Sequence, residues 1–416
     1  MFHNRLAGAA IALLAMCAPI TAAMAEPTTV TFASWQLEEP GNSDWWKAVI
    51  AAFEKQNPDI HIEQQYVPFK DFTNQMTIRF AANRAPDILQ LSQQTMPAFA
   101  AQGWLASLDP WTKGTEYEKD WSDSQKTNIW DGKTQGLLVS NSAYMLFYNE
   151  KILSAAGVSV PKDFTEFVAS VPKITKPEAG VFGLAAVTTE HPTAVEDFIR
   201  FVRWSGQDIV KDGKYDLTSP GVVAAIDTYR RVVGQNAPLG NNSAIARQLF
   251  LDGKTGFLID GPWFWSWLDK APPDLRPSLK MIKAPFAPAL APGGITLHIA
   301  AGIDDALKDK AWSFIAFAAQ PEWQRQYLLA TGQPPGRAHD VLTEDDHRKY
   351  PHLRLIAEQA MSSQAVFPAV QAIQANFNEF TAIIMRAALR ALSTKDDTAA
   401  ILADAQAELE TAIPLD

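Results

Sequence analysis

Apolar and polar residues alternate from Thr28 to Ser34, a stretch rich in β-branched side chains that sets Val30 and Phe32 on one face and predicts a strand. The period then changes. Ser43 can cap a helix, and Trp46, Val49, Ile50 and Phe53 recur at spacings of three and four, predicting a helix over 43–57. Residues 60–66 alternate again, with Ile60, Ile62 and Gln64 on one side. Residues 71–83 carry a helical stripe of Phe72, Met76, Arg79 and Phe80, and 87–91 form a short apolar run of strand length. This order of strand, helix, strand, helix, strand predicts a largely parallel sheet with helices on both faces. Ligands of such sheets usually sit at the carboxyl ends of the strands.

A second set of elements begins near Leu137. Residues 137–148 pattern as two strands crossing a boundary, 164–171 as a helix and 181–187 as a strand. Helices over 193–205 and 220–233 follow, then a strand over 254–259 and a helix opening at 263–268. The proline-rich stretch 271–294 is expected to be a loop and extended connector. The last part of the chain is mainly helical, over 304–319, 321–331, 351–359 and 377–392. No internal repeat is visible.

The chain has 416 residues, more than one core usually serves, so two lobes are expected. With 47% hydrophobic and 20% charged residues it has the composition of a folded globular protein. A net charge of −10 and the lack of any Lys/Arg-rich run argue against nucleic acid or an anionic membrane surface as partner. Residues 1–25 combine Arg5, an apolar stretch from Leu6 to Ile20, and Ala23-Met24-Ala25, the pattern of a secretory signal peptide cleaved after Ala25. The apolar stretch falls short of the roughly 20 residues a transmembrane helix needs. Lipidation at Cys17 would place Met16 where a small residue is wanted. Cleavage removes that sole cysteine, so disulfides contribute nothing to the mature fold.

Motifs for nucleophilic hydrolysis, zinc proteolysis, dinucleotides, nucleotide phosphates and calcium are all missing. The six histidines beyond the leader have no metal-ligand spacing. The nearest approach to a cluster, Asp345-Asp346-His347, is an ordinary helix start, so no metal or cofactor is expected. What remains is a set of aromatic and amide residues beside turns. Trp35-Gln36 ends the first strand, Ser92-Gln93-Gln94 the third, and Gly261-Pro262-Trp263 the strand through Ile259. Flat rings match the C–H faces of a sugar, while amides and carboxylates match its hydroxyls. Trp45, Trp46, Trp204, Trp312 and Trp323 lie within helical stripes and are expected in cores. Trp267 is expected in a core as well, with Trp265 undecided.

Several segments occur in a familiar order. Ala85-Pro86-Asp87-Ile88 precedes Ala101-Gln102-Gly103-Trp104-Leu105, then come Leu146-Phe147-Tyr148-Asn149-Glu150-Lys151 and Pro161 to Phe167. Asp252-Gly253-Lys254-Thr255-Gly256-Phe257, Gly261-Pro262-Trp263, Gly293-Gly294, Gln320-Pro321-Glu322-Trp323 and Gly332-Gln333-Pro334-Pro335 complete the series. In this order and spacing the chain resembles the carbohydrate (maltose-binding-like) class of extracellular solute-binding proteins, the capture subunits of ATP-binding-cassette importers. Phe164 stands where that class usually has Trp. The resemblance implies an α/β, two-lobed Venus-flytrap fold whose lobes, 26–140 with 295–337 and 141–294 with 338–416, are joined by hinge strands. It also implies a periplasmic, non-catalytic and monomeric protein that closes on a mono- or oligosaccharide or glycoside and delivers it to a transmembrane permease.

Carried over residue by residue, the resemblance puts Trp35, Gln36, Ser92, Gln93, Gln94, Asn141, Ser142, Thr189, His191, Trp263, Gly293, Gly294 and Arg337 in the cleft. Trp263 is the strongest of these, its ring stacking on the sugar. Gly293-Gly294 would let the backbone approach the ligand. Arg337, if it faces the cleft, suits an anionic group, since a guanidinium grips carboxylate, phosphate or sulfonate in a bidentate manner. Alternatives are a binding protein for a non-sugar or anionic solute, and a secreted glycoside hydrolase.

Overall fold

The computed structural model describes Met1 and residues 26–415, so the expected leader and its cleavage site lie outside the described residues. Nine strands build the two main sheets: β1 (Thr28–Ser34), β2 (Ile60–Tyr66), β3 (Ile88–Ser92), β4 (Leu137–Ser140), β5 (Met145–Asn149), β6 (Phe182–Ala185), β7 (Thr255–Asp260), β8 (Leu279–Lys283) and β9 (Ile295–Ile299). The first sheet has the order β2–β1–β3–β9–β4 and the second β8–β5–β7–β6. Strands β1, β2 and β3 are parallel, with Thr28 opposite Ile60 and Ser34 opposite Tyr66. Strand β9 enters from the other lobe and runs antiparallel to both β3 and β4. In the second sheet β7 is parallel to β6 and antiparallel to β5, while β8 pairs antiparallel with β5.

The main helices are α1 (Asn42–Gln56), α2 (Phe69–Ala81), α3 (Phe164–Ile174), α4 (Pro192–Trp204), α5 (Pro220–Asn236), α6 (Ser243–Leu251), α7 (Asp305–Ala318), α8 (Pro321–Thr331), α9 (Phe377–Ser393) and α10 (Thr398–Ala412). The stripe of α1 buries Trp45, Trp46, Val49, Ile50 and Phe53. The ring of Phe314 on α7 then meets Phe32 at 5.7 Å and Phe53 at 5.2 Å, edge-on, the arrangement aromatic quadrupoles favour. This is the first core. In the second lobe β5 and the residue before it, Tyr144, send alternate side chains into two clusters. Tyr144 and Leu146 join Phe167, Phe198 and Phe257 under α3 and α4, whereas Met145 and Phe147 face Phe250, Phe264 and Ile356. A strand buried on both faces reads as a continuous apolar run, as 143–147 does.

Helix α8 ties the two bodies together. Its Tyr327 packs in the first core, and the next residue, Leu328, packs in the cluster under β5. The chain also crosses between lobes after β4, with residues 141–144 separating Ser140 from Met145, and before β9, with 292–294 separating Ala291, in a short ladder with Gln364–Ala365, from Ile295.

Three expectations are corrected. The proline-rich stretch 271–294 is not all loop. Leu279 and Met281 are buried on one face of edge strand β8 with Lys280 exposed on the other, and the flanking prolines lie outside its five paired residues. Helices α6 and α10 were not anticipated. Alanines dilute the stripe of α10, leaving Ile401, Leu402 and Leu409 to anchor it. Helix α1 begins at Asn42 behind Gly41, whose φ of 79° supplies the turn, so Ser43 does not cap it.

Because Phe314 is fully buried among three other rings, Phe314→Ala should lower unfolding free energy by about 3–5 kcal/mol in urea denaturation. A loss below about 1 kcal/mol would show that the first core does not depend on this packing.

Candidate functional site

A cavity of about 860 Å³ opens where the carboxyl ends of β1, β3 and β7 converge. From the first lobe Trp35, Ser92 and Gln94 line it, with Glu39 and Phe69; from the second come His191, Trp263 and Asp260, with Arg247. Trp35 is only 7% exposed, held edge-on by Phe69 at 5.4 Å and Phe72 at 5.0 Å. The Trp263 ring folds back over Gly261. A Cβ there would come within 2.2 Å of the indole, so glycine at 261 is what seats the ring at the end of β7.

The lobes touch around the cavity. The Phe69 and His191 rings lie 6.0 Å apart, and Asn378 Nδ2 on α9 donates to Thr77 Oγ1 on α2 at 3.3 Å. His191 caps α4, where Nδ1 accepts from Thr193 N at 3.1 Å. The ring proton therefore sits on Nε2, facing Ser243 Oγ at 3.3 Å. Burial, helped by Arg247, pushes this imidazole down to about 4. Arg247 grips Asp260 through Nε at 2.6 Å and Nη2 at 3.1 Å, a bidentate pair lying over the Trp267 ring at 5.3 Å. Across from them Glu39 is half-buried. Burial lifts its carboxyl to about 7, although Arg247 opposes the rise. Deeper in the second lobe Tyr144 Oη donates to Glu196 Oε2 at 2.8 Å, and Arg200 pairs with Asp197 while lying 4.0 Å over the Tyr144 ring.

Other residues expected in the cleft hold the framework. Gln36 lines the cavity, but both ends of its buried amide are engaged: Nε2 donates to Tyr327 Oη at 2.9 Å and Oε1 accepts from Trp46 Nε1 at 3.2 Å. Gln93, Asn141, Ser142, Thr189, Gly294 and Arg337 are absent from the lining. Gln93 reaches Ser124 O and accepts from Gly294 N. Asn141 donates to Ser122 Oγ, Ser142 Oγ to Gly293 O at 2.6 Å, and Thr189 Oγ1 to Asn241 O. At Gly294 a Cβ would strike Leu138 and Gln93, so this glycine permits packing of β9 rather than approach to a ligand. Gly293 does line the cavity, with φ of 90° and Gln94 against it.

Arg337 requires the clearest revision. It is 5% exposed, lies 4.6 Å over the Trp121 ring, donates from Nη1 to Asp120 at 2.6 Å and from Nε and Nη2 to Ala319 O. Its donors are spent anchoring the chain to the first lobe, where they cannot grip an anionic ligand. Trp267 packs against the cluster of Phe250, Phe264 and Leu268, as expected, and also lines the cavity from the 3₁₀ helix over 262–270. Trp265 stacks on His352 at 4.0 Å. Asp346 is committed to Arg325 and Thr343, and among the described residues no group of three or more His, Cys, Asp or Glu is placed to hold a metal.

Sequence reasoning missed Glu39, Arg247, Glu196 and Arg200. A signal existed for the last two: Thr193, Glu196, Asp197, Arg200 and Arg203 form a polar stripe at helical spacing on a helix whose remaining residues are apolar. Arg247 carried none.

A family model described as bacterial extracellular solute-binding protein matches residues 39–325. The diacetylchitobiose-binding protein DasA of Streptomyces coelicolor is 28% identical over 323 residues, covering 74% of this chain and 73% of its own. Maltose-bound MalE3 of T. maritima superposes with a TM-score of 0.81 at 20% identity, over 92% of this chain and 99% of that one. UgpB of Mycobacterium tuberculosis, solved with glycerophosphocholine, gives 0.80 at 18% identity, over 93% and 98%. These structures share the two-lobed fold.

The lifted carboxyl of Glu39 has a measurable consequence. A group whose folded pKa is raised binds protons more tightly when folded, so its contribution to stability is present below about 4.5 and is lost as pH rises through about 7. His191 and His298, both pushed down to about 4 by burial, act oppositely between 6.5 and 4. The difference between wild type and Glu39→Gln isolates the first effect. The variant's thermal midpoint should gain on the wild type from about pH 5 to about pH 8. A gap that does not change with pH would show that Glu39 keeps an ordinary carboxyl.

Proposed function

The chain belongs to the bacterial extracellular solute-binding proteins, and from that premise we propose that it is the capture subunit of an ATP-binding-cassette importer. It is a secreted, periplasmic and monomeric clamp that takes a sugar or glycoside between its lobes, closes over it and delivers it to a transmembrane permease. Its lobes are 26–140 with 295–337 and 141–294 with 338–416. Residues 1–25 act as the leader that delivers it.

One observation carries the reading: a cavity between two lobes with an indole from each, Trp35 and Trp263, set among amides and carboxylates. Such walls suit a guest with apolar C–H faces and a rim of hydroxyls. At about 860 Å³ the cavity is near the upper end of the roughly 300–1,000 Å³ usual for small-molecule sites, which suits more than one sugar ring. DasA and MalE3, which bear sugar ligands in their names or structures, support the same class. Closure follows from differential affinity. A guest touching both walls stabilises only the arrangement that brings them together. Micromolar affinity corresponds to about −8 kcal/mol, within reach of one stacked ring and several hydrogen bonds after ordering costs.

Titration with maltose, melibiose, raffinose, cellobiose and N,N′-diacetylchitobiose, read by tryptophan fluorescence and calorimetry, should find at least one micromolar binder. Trp263→Ala should weaken that binder about tenfold to a hundredfold while leaving the circular dichroism spectrum unchanged. Affinity within about twofold of wild type would remove Trp263 from the site.

A further inference from the structure

The cavity has a further wall on the second lobe. It is made by the face of α4 two turns below His191, together with Tyr144 beside β5. Arg200 is the decisive residue. It is 1% exposed, borders the cavity, and uses Nη2 on Asp197, yet its Nε and Nη1 are buried with no hydrogen-bond partner. Buried guanidinium donors left unmade are costly, and a native structure rarely leaves them so without a use. Glu196, on the same face, accepts from Tyr144 Oη through Oε2. Burial pushes its carboxyl up, so no cation fully compensates it.

Just behind the wall's surface, then, unused donors lie beside carboxyl acceptors, and a guest that reaches them must satisfy both. A carboxylate or phosphate could accept from Arg200 but would meet Asp197 as a like charge, with the Glu196 carboxyl beside it. An ammonium could donate to Glu196 but would leave Arg200 unpaired and be repelled by it. A hydroxyl both accepts and donates, so two neighbouring hydroxyls satisfy both sides without adding charge. The rest of the lining agrees. Among the described residues seven carboxyl side chains border the cavity against Lys70, Arg200 and Arg247, and both arginines are already paired with aspartates. Such a lining opposes anions.

We propose that Arg200, Glu196, Asp197 and Tyr144 form an inner recognition subsite for a pair of uncharged sugar hydroxyls, making the protein selective for neutral saccharides over their acidic counterparts. The proposal rests on the sugar-binding function above and adds which saccharides are admitted and by which residues.

Calorimetry on the mature protein tests it with the five neutral sugars named above, each compared with its counterpart oxidised to the uronate at C6 of the non-reducing ring. Two volume-conserving variants accompany it. Arg200→Lys keeps the charge beside Asp197 but loses the Nε and Nη1 donors, and Glu196→Met removes the acceptor. Wild type should bind at least one neutral sugar and bind its uronate at least about tenfold more weakly. Each variant that retains the wild-type circular dichroism spectrum should bind the neutral sugar about tenfold to a hundredfold more weakly. Equal or tighter binding of the uronate by wild type overturns the proposal while leaving sugar capture intact, as does neutral-sugar affinity within about twofold in both folded variants. Should a variant fail to fold, the wild-type comparison of neutral sugar with uronate decides alone. Failure of wild type to bind any saccharide overturns the sugar-binding function and this subsite with it.

Discussion

Three short backbone passages, hydrogen-bonded side by side, govern everything else in this molecule. Residues 141–144 and 292–294 lead from one lobe to the other, and 333–337 run beside them. Asn141 N donates to Pro334 O at 2.8 Å, Tyr144 N to Leu290 O at 3.0 Å, and Ser142 Oγ to Gly293 O. Passages this short cannot let the sheets drift apart, but a few backbone torsions among them can rotate one lobe against the other. Many residues expected to touch a ligand belong to this lashing. Asn141, Ser142, Gly294 and Arg337 fix where the two walls meet rather than what they grip.

The walls gain their meaning from that placement. Trp35 is rigid because Phe69 and Phe72 brace it, and Trp263 because Gly261 gives it a seat, so both are ordered before a guest arrives. Ordering cost spent during folding need not be spent again on binding. The charged groups behave differently. Glu39 on one lobe and Arg247 with Asp260 on the other influence one another only because the lobes are close. The aromatic faces therefore supply contact area, while polar groups from both sides supply discrimination and sense closure.

Much of the framework could be read from the chain. Period-two and helical spacings located β1, β2, α1 and α4 within two residues, because each is amphipathic and long enough for its period to be seen. Strand β8 could not be, since it is only five residues long, Ile282 and Lys283 break its alternation, and prolines punctuate the stretch around it. Trp35 and Trp263 stood out because an aromatic beside a turn signal at a strand end has few structural uses. Arg337 misled for a similar reason: a guanidinium after Pro334-Pro335-Gly336 shows its chemistry in sequence but not its partners, and Asp120 is 217 residues away. Arg247 was invisible for the converse reason, because nothing local marks that arginine as facing a cavity rather than solvent.

Parting and closing of the lobes can be tested with a reversible lock. The only cysteine is Cys17, so in protein spanning residues 26–416 a pair introduced at Thr77 and Asn378, which already meet across the cleft, would be the only thiols. Stopped-flow tryptophan fluorescence would follow association of the tightest-binding neutral saccharide with Thr77→Cys/Asn378→Cys protein oxidised without ligand. Association should slow at least about a hundredfold and recover fully on adding dithiothreitol. Equal rates in the oxidised and reduced forms would contradict a site that fills only when the lobes part.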